Sequence, residues 1–211
     1  MLRPLDPDLD VLYPEKEFND LLDCVKDLGV VIVGFGKMGI LHGTILNLLV
    51  GDIVKAVVDR SFLVSFGFSR LLKSLKFYRG LDNVLDGSCD VFYVTTSTQS
   101  HYGVLRYLLN TGVAKAVFVE KPPTTNFKEF AELADMIGDR IVMVGLQKRY
   151  ALPLRHAKTL IENDVLGDIE RVECYIRSGD IQEKTKRFKP LGRGVLLDLS
   201  LIHISEPTRP Y

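Results

Sequence analysis

Val30-Val31-Ile32-Val33-Gly34-Phe35-Gly36-Lys37-Met38-Gly39 decides how this chain folds. Four β-branched residues run straight into GFGKMG, and a helical spacing of apolar residues follows over 38–50. In a strand–turn–helix setting each glycine has its own task. Gly34 allows the tight turn, Gly36 lets backbone approach a pyrophosphate, and Gly39 lets helix and strand pack closely. The helix beginning there points its N–H groups and positive end at the phosphates. The whole turn, with Phe35, Lys37 and Met38, is therefore the first candidate for binding a dinucleotide.

Working outward, short apolar runs alternate with longer helical patterns, which is how βαβ units read. Strands are expected at Val30–Val33, Ile53–Val58, Lys76–Tyr78, Val91–Thr95, Ala116–Val119 and Ile141–Leu146, with helices near 38–50, 62–74, 81–86, 98–111 and 126–138. The strand runs are nearly all apolar, as expected of parallel strands covered on both faces. With right-handed crossovers they make an α/β fold, a doubly wound parallel Rossmann sheet. After Leu146 the rhythm changes to a helix over 152–163 and an alternating strand over 169–177, the start of a second, α+β domain. Ahead of the sheet, Glu15 to Leu28 has the spacing of one amphipathic helix.

Asp59 ends the second expected strand, twenty residues after Gly39, where an acid binds the adenosine ribose hydroxyls. That favours NAD. Arg60 keeps NADP open, because a guanidinium there could hold a 2′-phosphate. Thr95 and Thr96 close the fourth strand at the edge where open α/β sheets bind ligands, and His101 follows in the next helix. All three are candidate cofactor contacts, although a satisfied helix histidine explains His101 nearly as well. His42 reads as packing. Glu120-Lys121-Pro122-Pro123 leaves the fifth strand and places a lysine at the same edge. A lysine leaving an apolar strand ahead of two prolines is a candidate catalytic group rather than a solvated charge, with Glu120 beside it at the cofactor.

Lys+Arg and Asp+Glu both number 27, so no global field argues for nucleic acid or an anionic membrane as partner. The basic run at 184–189 reads as a solvated loop. Cys24, Cys89 and Cys174 are odd in number and in no metal-ligand spacing, which fits a reducing, cytoplasmic setting and no metal site. The first ten residues lack the apolar core of a signal peptide.

These strings together resemble the Gfo/Idh/MocA family, the glucose–fructose oxidoreductase and inositol dehydrogenase group. The matching residues are GFGKMG at 34–39, Thr96 with His101, EKPP at 120–123, Gln147-Lys148-Arg149-Tyr150, Leu166-Gly167-Asp168-Ile169 and Gly192-Arg193-Gly194-Val195-Leu196-Leu197-Asp198. One departure is Ser97, where the family usually has proline, so that turn loses a fixed φ. The resemblance implies hydride transfer between a bound nicotinamide and a hydroxyl carbon of a sugar, polyol or related small molecule. It makes Lys121 the group that hydrogen-bonds the reacting hydroxyl and Asp198 a catalytic partner. Two alternatives share the fold: a redox-neutral, NAD-using glycosidase, and a non-catalytic dinucleotide-binding regulator.

The family pattern after Asp198 requires glycine at 200 and histidine at 202, whereas this chain has Ser200, Ile202 and His203. A one-residue slip on a strand turns a side chain to the opposite face. Leu199–Arg209, LSLIHISEPTR, is what a transposon-end sequencing adapter encodes when translated. The expected organisation is therefore an N-terminal extension over 1–29, an NAD(P)-binding domain over 30–147, the beginning of a C-terminal domain over 148–198, and a non-native tail over 199–211. On that expectation the chain is a fragment that binds cofactor but oxidises no sugar, and its parent forms homo-oligomers through the rest of the C-terminal sheet.

Overall fold

The computed structural model describes residue 20 and residues 22–173. Of the expected helix over 15–28, residues 20 and 22–25 are helical and 15–19 and 21 lie outside the described residues; Asp198, His203, the basic run and the 199–211 tail fall wholly outside. The chain divides into two compact units between Gly145 and Leu146, and each is described by itself.

The first unit holds β1 (Val30–Val33), α1 (Lys37–Val50), β2 (Val54–Val58), α2 (Phe62–Leu71), β3 (Lys76–Tyr78), β4 (Val91–Val94), α3 (Thr98–Thr111), β5 (Ala116–Val119), α4 (Phe127–Ile137) and β6 (Ile141–Val144). All five strand pairs are parallel, in the order β3-β2-β1-β4-β5-β6. This is the doubly wound Rossmann sheet, with its order reversing between β1 and β4. The stretch expected as a helix over 81–86 is a single 3₁₀ turn, Leu81–Val84.

Alternation along each strand sorts the core into two layers. On one face Val31, Val33, Phe92, Val94, Val117 and Val119 pack with Leu105, Leu108 and Leu109 of α3 and Leu133 of α4. On the other, Val30, Ile32, Val54 and Val57 pack with Leu46 of α1 and Val64 and Phe68 of α2. The helices α3 and α4 are tied together by the Glu132 carboxylate, which accepts from the Tyr102 hydroxyl at 2.7 Å and pairs with Arg106 at 3.0 Å. Full cover of both faces, expected from the apolar runs, holds at β1 and fails at β6. There Ile141 is 69% and Met143 42% exposed, because α1 and α2, the helices packed on that face, serve the β1–β3 side.

The second unit has a 3₁₀ turn, Gln147–Tyr150, and helix α5 (Leu152–Glu162), which starts at Pro153 in its first turn. The expected strand at 169–177 is corrected for its described part. Residues 169–173 are exposed and form no strand. Among the described residues no helix is long and apolar enough to cross a membrane.

A candidate dinucleotide and hydride-transfer site

The strands end level. Val33 pairs with Val58 and Val94, Val94 with Val119, and Val119 with Val144. The ladder then runs one residue further: Gly34 N–H donates to Val58 at 2.8 Å, Thr95 to Val33 at 2.8 Å, Glu120 to Val94 at 2.9 Å and Gly145 to Val119 at 2.8 Å. Asp59, Gly34, Thr95 and Glu120 therefore stand in one row along the C-terminal edge, and Lys121 is the next residue out.

The turn is built from its neighbours. Gly34 has φ +95°, and a Cβ there would stand 2.7 Å from the Thr96 nitrogen. A Cβ on Gly39 would collide with the Gly34 carbonyl oxygen and come within 3.0 Å of Thr95 Oγ1. Gly36 differs: a Cβ on it would meet nothing within 4 Å. It is also the N-cap of α1, with no side-chain cap and no acidic residue in the first turn. Helix N-termini leave donors for a partner outside the helix, so backbone open to approach meets unused positive dipole at one point. That fits a dinucleotide pyrophosphate. Lys37 is exposed and Met38 partly so, both on that first turn.

Asp59 faces the turn from β2. Its Oδ2 accepts from Phe35 N–H at 2.7 Å and its Oδ1 from Ser61 N–H at 2.8 Å. The carboxylate thus stands at the edge after β2, beside the glycine turn, where ribose hydroxyls would lie. Arg60 is exposed, and its carbonyl accepts from the Arg79 guanidinium at 3.4 Å. Thr96 is partly exposed beside the turn.

Three of the expected cofactor contacts have side chains buried against protein. The Phe35 ring is 6% exposed and packs edge-on against Phe68 and Phe77, with centroids 5.2 and 5.5 Å away. Thr95, also 6% exposed, turns its hydroxyl back onto the Gly34 carbonyl at 2.7 Å. His101 is 1% exposed, with Nδ1 2.7 Å from the Pro122 carbonyl and Nε2 3.0 Å from the Thr96 carbonyl. Thr95 and His101 serve the edge from behind: one fixes the glycine turn, the other spans the turn after β4 and the turn after β5.

Lys121 is partly buried, its peptide bond to buried Pro122 is cis, and its N–H donates to Glu120 Oε2 at 3.2 Å. Glu120 Oε1 accepts from His42 Nε2 at 2.7 Å. Burial pushes the Glu120 carboxyl up, but the His42 hydrogen bond and charge, the Lys121 amide and the Lys121 charge outweigh it and hold the carboxyl below its ordinary value. A depressed carboxyl stabilises the fold fully above its unfolded pKa and loses that contribution as pH falls through its folded one. Glu120→Gln should therefore flatten the acid limb of stability against pH while losing stability near neutrality. Urea unfolding at stepped pH measures this, and parallel acid limbs for the two proteins would contradict it.

His42 is the site residue that sequence reasoning missed. Gly39, His42, Gly43 and Leu46 share a face of α1 at i, i+3, i+4, i+7 spacing, and that face is sheet-side. A polar residue in a buried stripe requires a partner, and that signal was present in the sequence.

The glycine turn, the uncapped helix and the 3-2-1-4-5-6 sheet define a dinucleotide-binding Rossmann domain. The chain belongs to the Gfo/Idh/MocA family, whose description, "Oxidoreductase family, NAD-binding Rossmann fold", matches residues 28–159. NAD is the cofactor of that fold. The chain is similar to inositol 2-dehydrogenase of Rhodococcus jostii, 24% identical over 191 residues covering 87% of this chain and 50% of the relative. It is 28% identical to inositol 2-dehydrogenase 1 of Mycolicibacterium vanbaalenii, over 73% of this chain and 46% of that protein. Among solved structures, myo-inositol dehydrogenase from Lactobacillus casei in complex with NAD(H) and myo-inositol superposes with a TM-score of 0.60 at 25% identity, over 66% of this chain and 42% of that one. The chain thus spans half or less of the length of these relatives.

Proposed function

We propose that this chain is the cofactor-binding part of an NAD-dependent dehydrogenase acting on a hydroxyl-bearing carbon of a cyclic polyol or sugar. The observation that carries this reading is the placement of Lys121, partly buried, on the same strand edge as the open backbone at Gly36. Under it, the amides at the start of α1 bind the pyrophosphate and the Asp59 carboxylate binds the adenosine ribose diol. The Asp59 charge would repel a 2′-phosphate, so NAD is preferred over NADP despite Arg60.

Bound NAD supplies the hydride acceptor. The alcohol carbon would give up its hydrogen with the bonding electron pair, the hydroxyl proton would pass to water, and a carbonyl would form. The Lys121 ammonium donates to the hydroxyl oxygen and favours its alkoxide character as the proton departs. Asp198, carried over from the family pattern, would assist substrate binding and proton transfer.

The test has two parts. Calorimetric titration of the 211-residue chain should give a tighter Kd for NAD than for NADP. The complete protein carrying these residues should reduce NAD when given myo-inositol or a pyranose sugar. A tighter Kd for NADP would overturn the role of Asp59, and no NADH with any ring polyol or sugar would overturn the dehydrogenase reading.

A further inference from the structure

Helix α1 and the turn after β5 are 78 residues apart in sequence at their meeting point, the His42–Glu120 hydrogen bond. The His42 ring rests tilted against Tyr93 and Phe118, with centroids 5.8 and 5.0 Å away, and those two rings stack on each other at 4.7 Å. Two neighbouring aromatics fix the imidazole plane, so its Nε2 is aimed rather than free to rotate. Glu120 is aimed in turn. One carboxylate oxygen takes His42 and the other takes the Lys121 amide. The His42 and Glu120 side chains are 22% and 13% exposed, so water competes weakly for either bond.

The carboxylate also accepts from the backbone N–H of Lys121, so it sets where the lysine side chain begins. We propose that His42 is a positioning residue which, through the Glu120 carboxylate, fixes the backbone of Lys121 relative to the helix that seats the dinucleotide. This rests on the dehydrogenase reading for the purpose of Lys121, but the mechanical link stands on its own bonds. Its value lies in alignment: a small displacement of a reacting group lowers rate steeply. A lysine referenced to α1 moves with the cofactor that α1 holds.

The experiment is amide-resolved hydrogen exchange on the ligand-free 211-residue chain. His42→Leu should speed exchange at the Lys121 amide about tenfold, as loss of one partly buried hydrogen bond allows, while Phe118 and Val119 in β5 stay protected. His42→Gln, which keeps an N–H donor, should recover most of that protection. An unchanged Lys121 amide in His42→Leu overturns the proposal, and so does a His42→Gln protein as fast as His42→Leu. If His42→Leu loses protection throughout β1 and β4, Glu120→Gln decides instead, with fast exchange confined to Lys121 supporting the link and an unchanged amide overturning it. NADH titration of the unsubstituted chain runs alongside: failure to bind counts against the dehydrogenase reading and leaves the exchange result standing.

Discussion

Gly36→Val protein should melt like the unsubstituted chain and bind NAD at least about a hundredfold more weakly. The two halves of that expectation come from one observation. A Cβ on Gly36 meets no protein atom within 4 Å, so the folded chain has room for the side chain. The backbone there is extended, with φ −81°, which valine adopts readily. The room it takes is the room through which a pyrophosphate would reach the amides of α1. Gly39→Ala is the contrasting control, because its methyl would be driven into the Gly34 carbonyl. Overpacking of that kind costs about 1–3 kcal/mol, so Gly39→Ala should lose stability first and binding as a consequence. Thermal melts and calorimetry on the three proteins separate these effects. If Gly36→Val binds NAD normally, the space over Gly36 is not the pyrophosphate path.

Lys121→Met carries the second large effect, and it falls on chemistry alone. Methionine keeps the length and much of the stem of the lysine while deleting the charge and the donor. Turnover of the active enzyme should fall by about 10²–10⁴-fold, the range that proton-transfer and charge-stabilising groups typically contribute. The Kd for NAD should move by less than about threefold, because uniform binding is untouched. On the proposed reading Lys121 would act through its side chain, whereas the turn at 34–39 would bind through backbone. A turnover near that of the unsubstituted enzyme would leave Lys121 as a partly buried surface charge.

The strands were legible because each is a short apolar run bounded by polar or glycine residues. Val30–Val33, Lys76–Tyr78 and Ala116–Val119 have the same ends in sequence and in structure. Their parallel order followed from the helical spacing between them. Less legible was which apolar run would be left half bare. Ile141–Val144 reads like any inner strand, and only the final order shows it at the edge. In the site, glycines and the acid after β2 could be placed from spacing alone, since backbone chemistry depends on chain geometry. Side chains pointing backwards could not. Thr95 and His101 look identical in sequence whether they face a ligand or a carbonyl behind them, and their partners, Gly34 and Pro122, lie 61 and 21 residues away. Phe35 sits between two glycines, so its position suggested the turn, but its ring was claimed by Phe68 and Phe77.

The hydroxyl of Thr95 on the Gly34 carbonyl and the carboxylate of Asp59 on the Phe35 amide have a kinetic consequence. Ordering one residue of a loose loop costs about 1–2 kcal/mol of conformational entropy. In this turn that loss is incurred during folding, before any dinucleotide arrives. Association is then free of a loop-closing step, and its rate is set by diffusion and by orienting two rigid surfaces. Every contact that a pyrophosphate would make with α1 would then appear in the affinity undiminished by the work of shaping its own cradle.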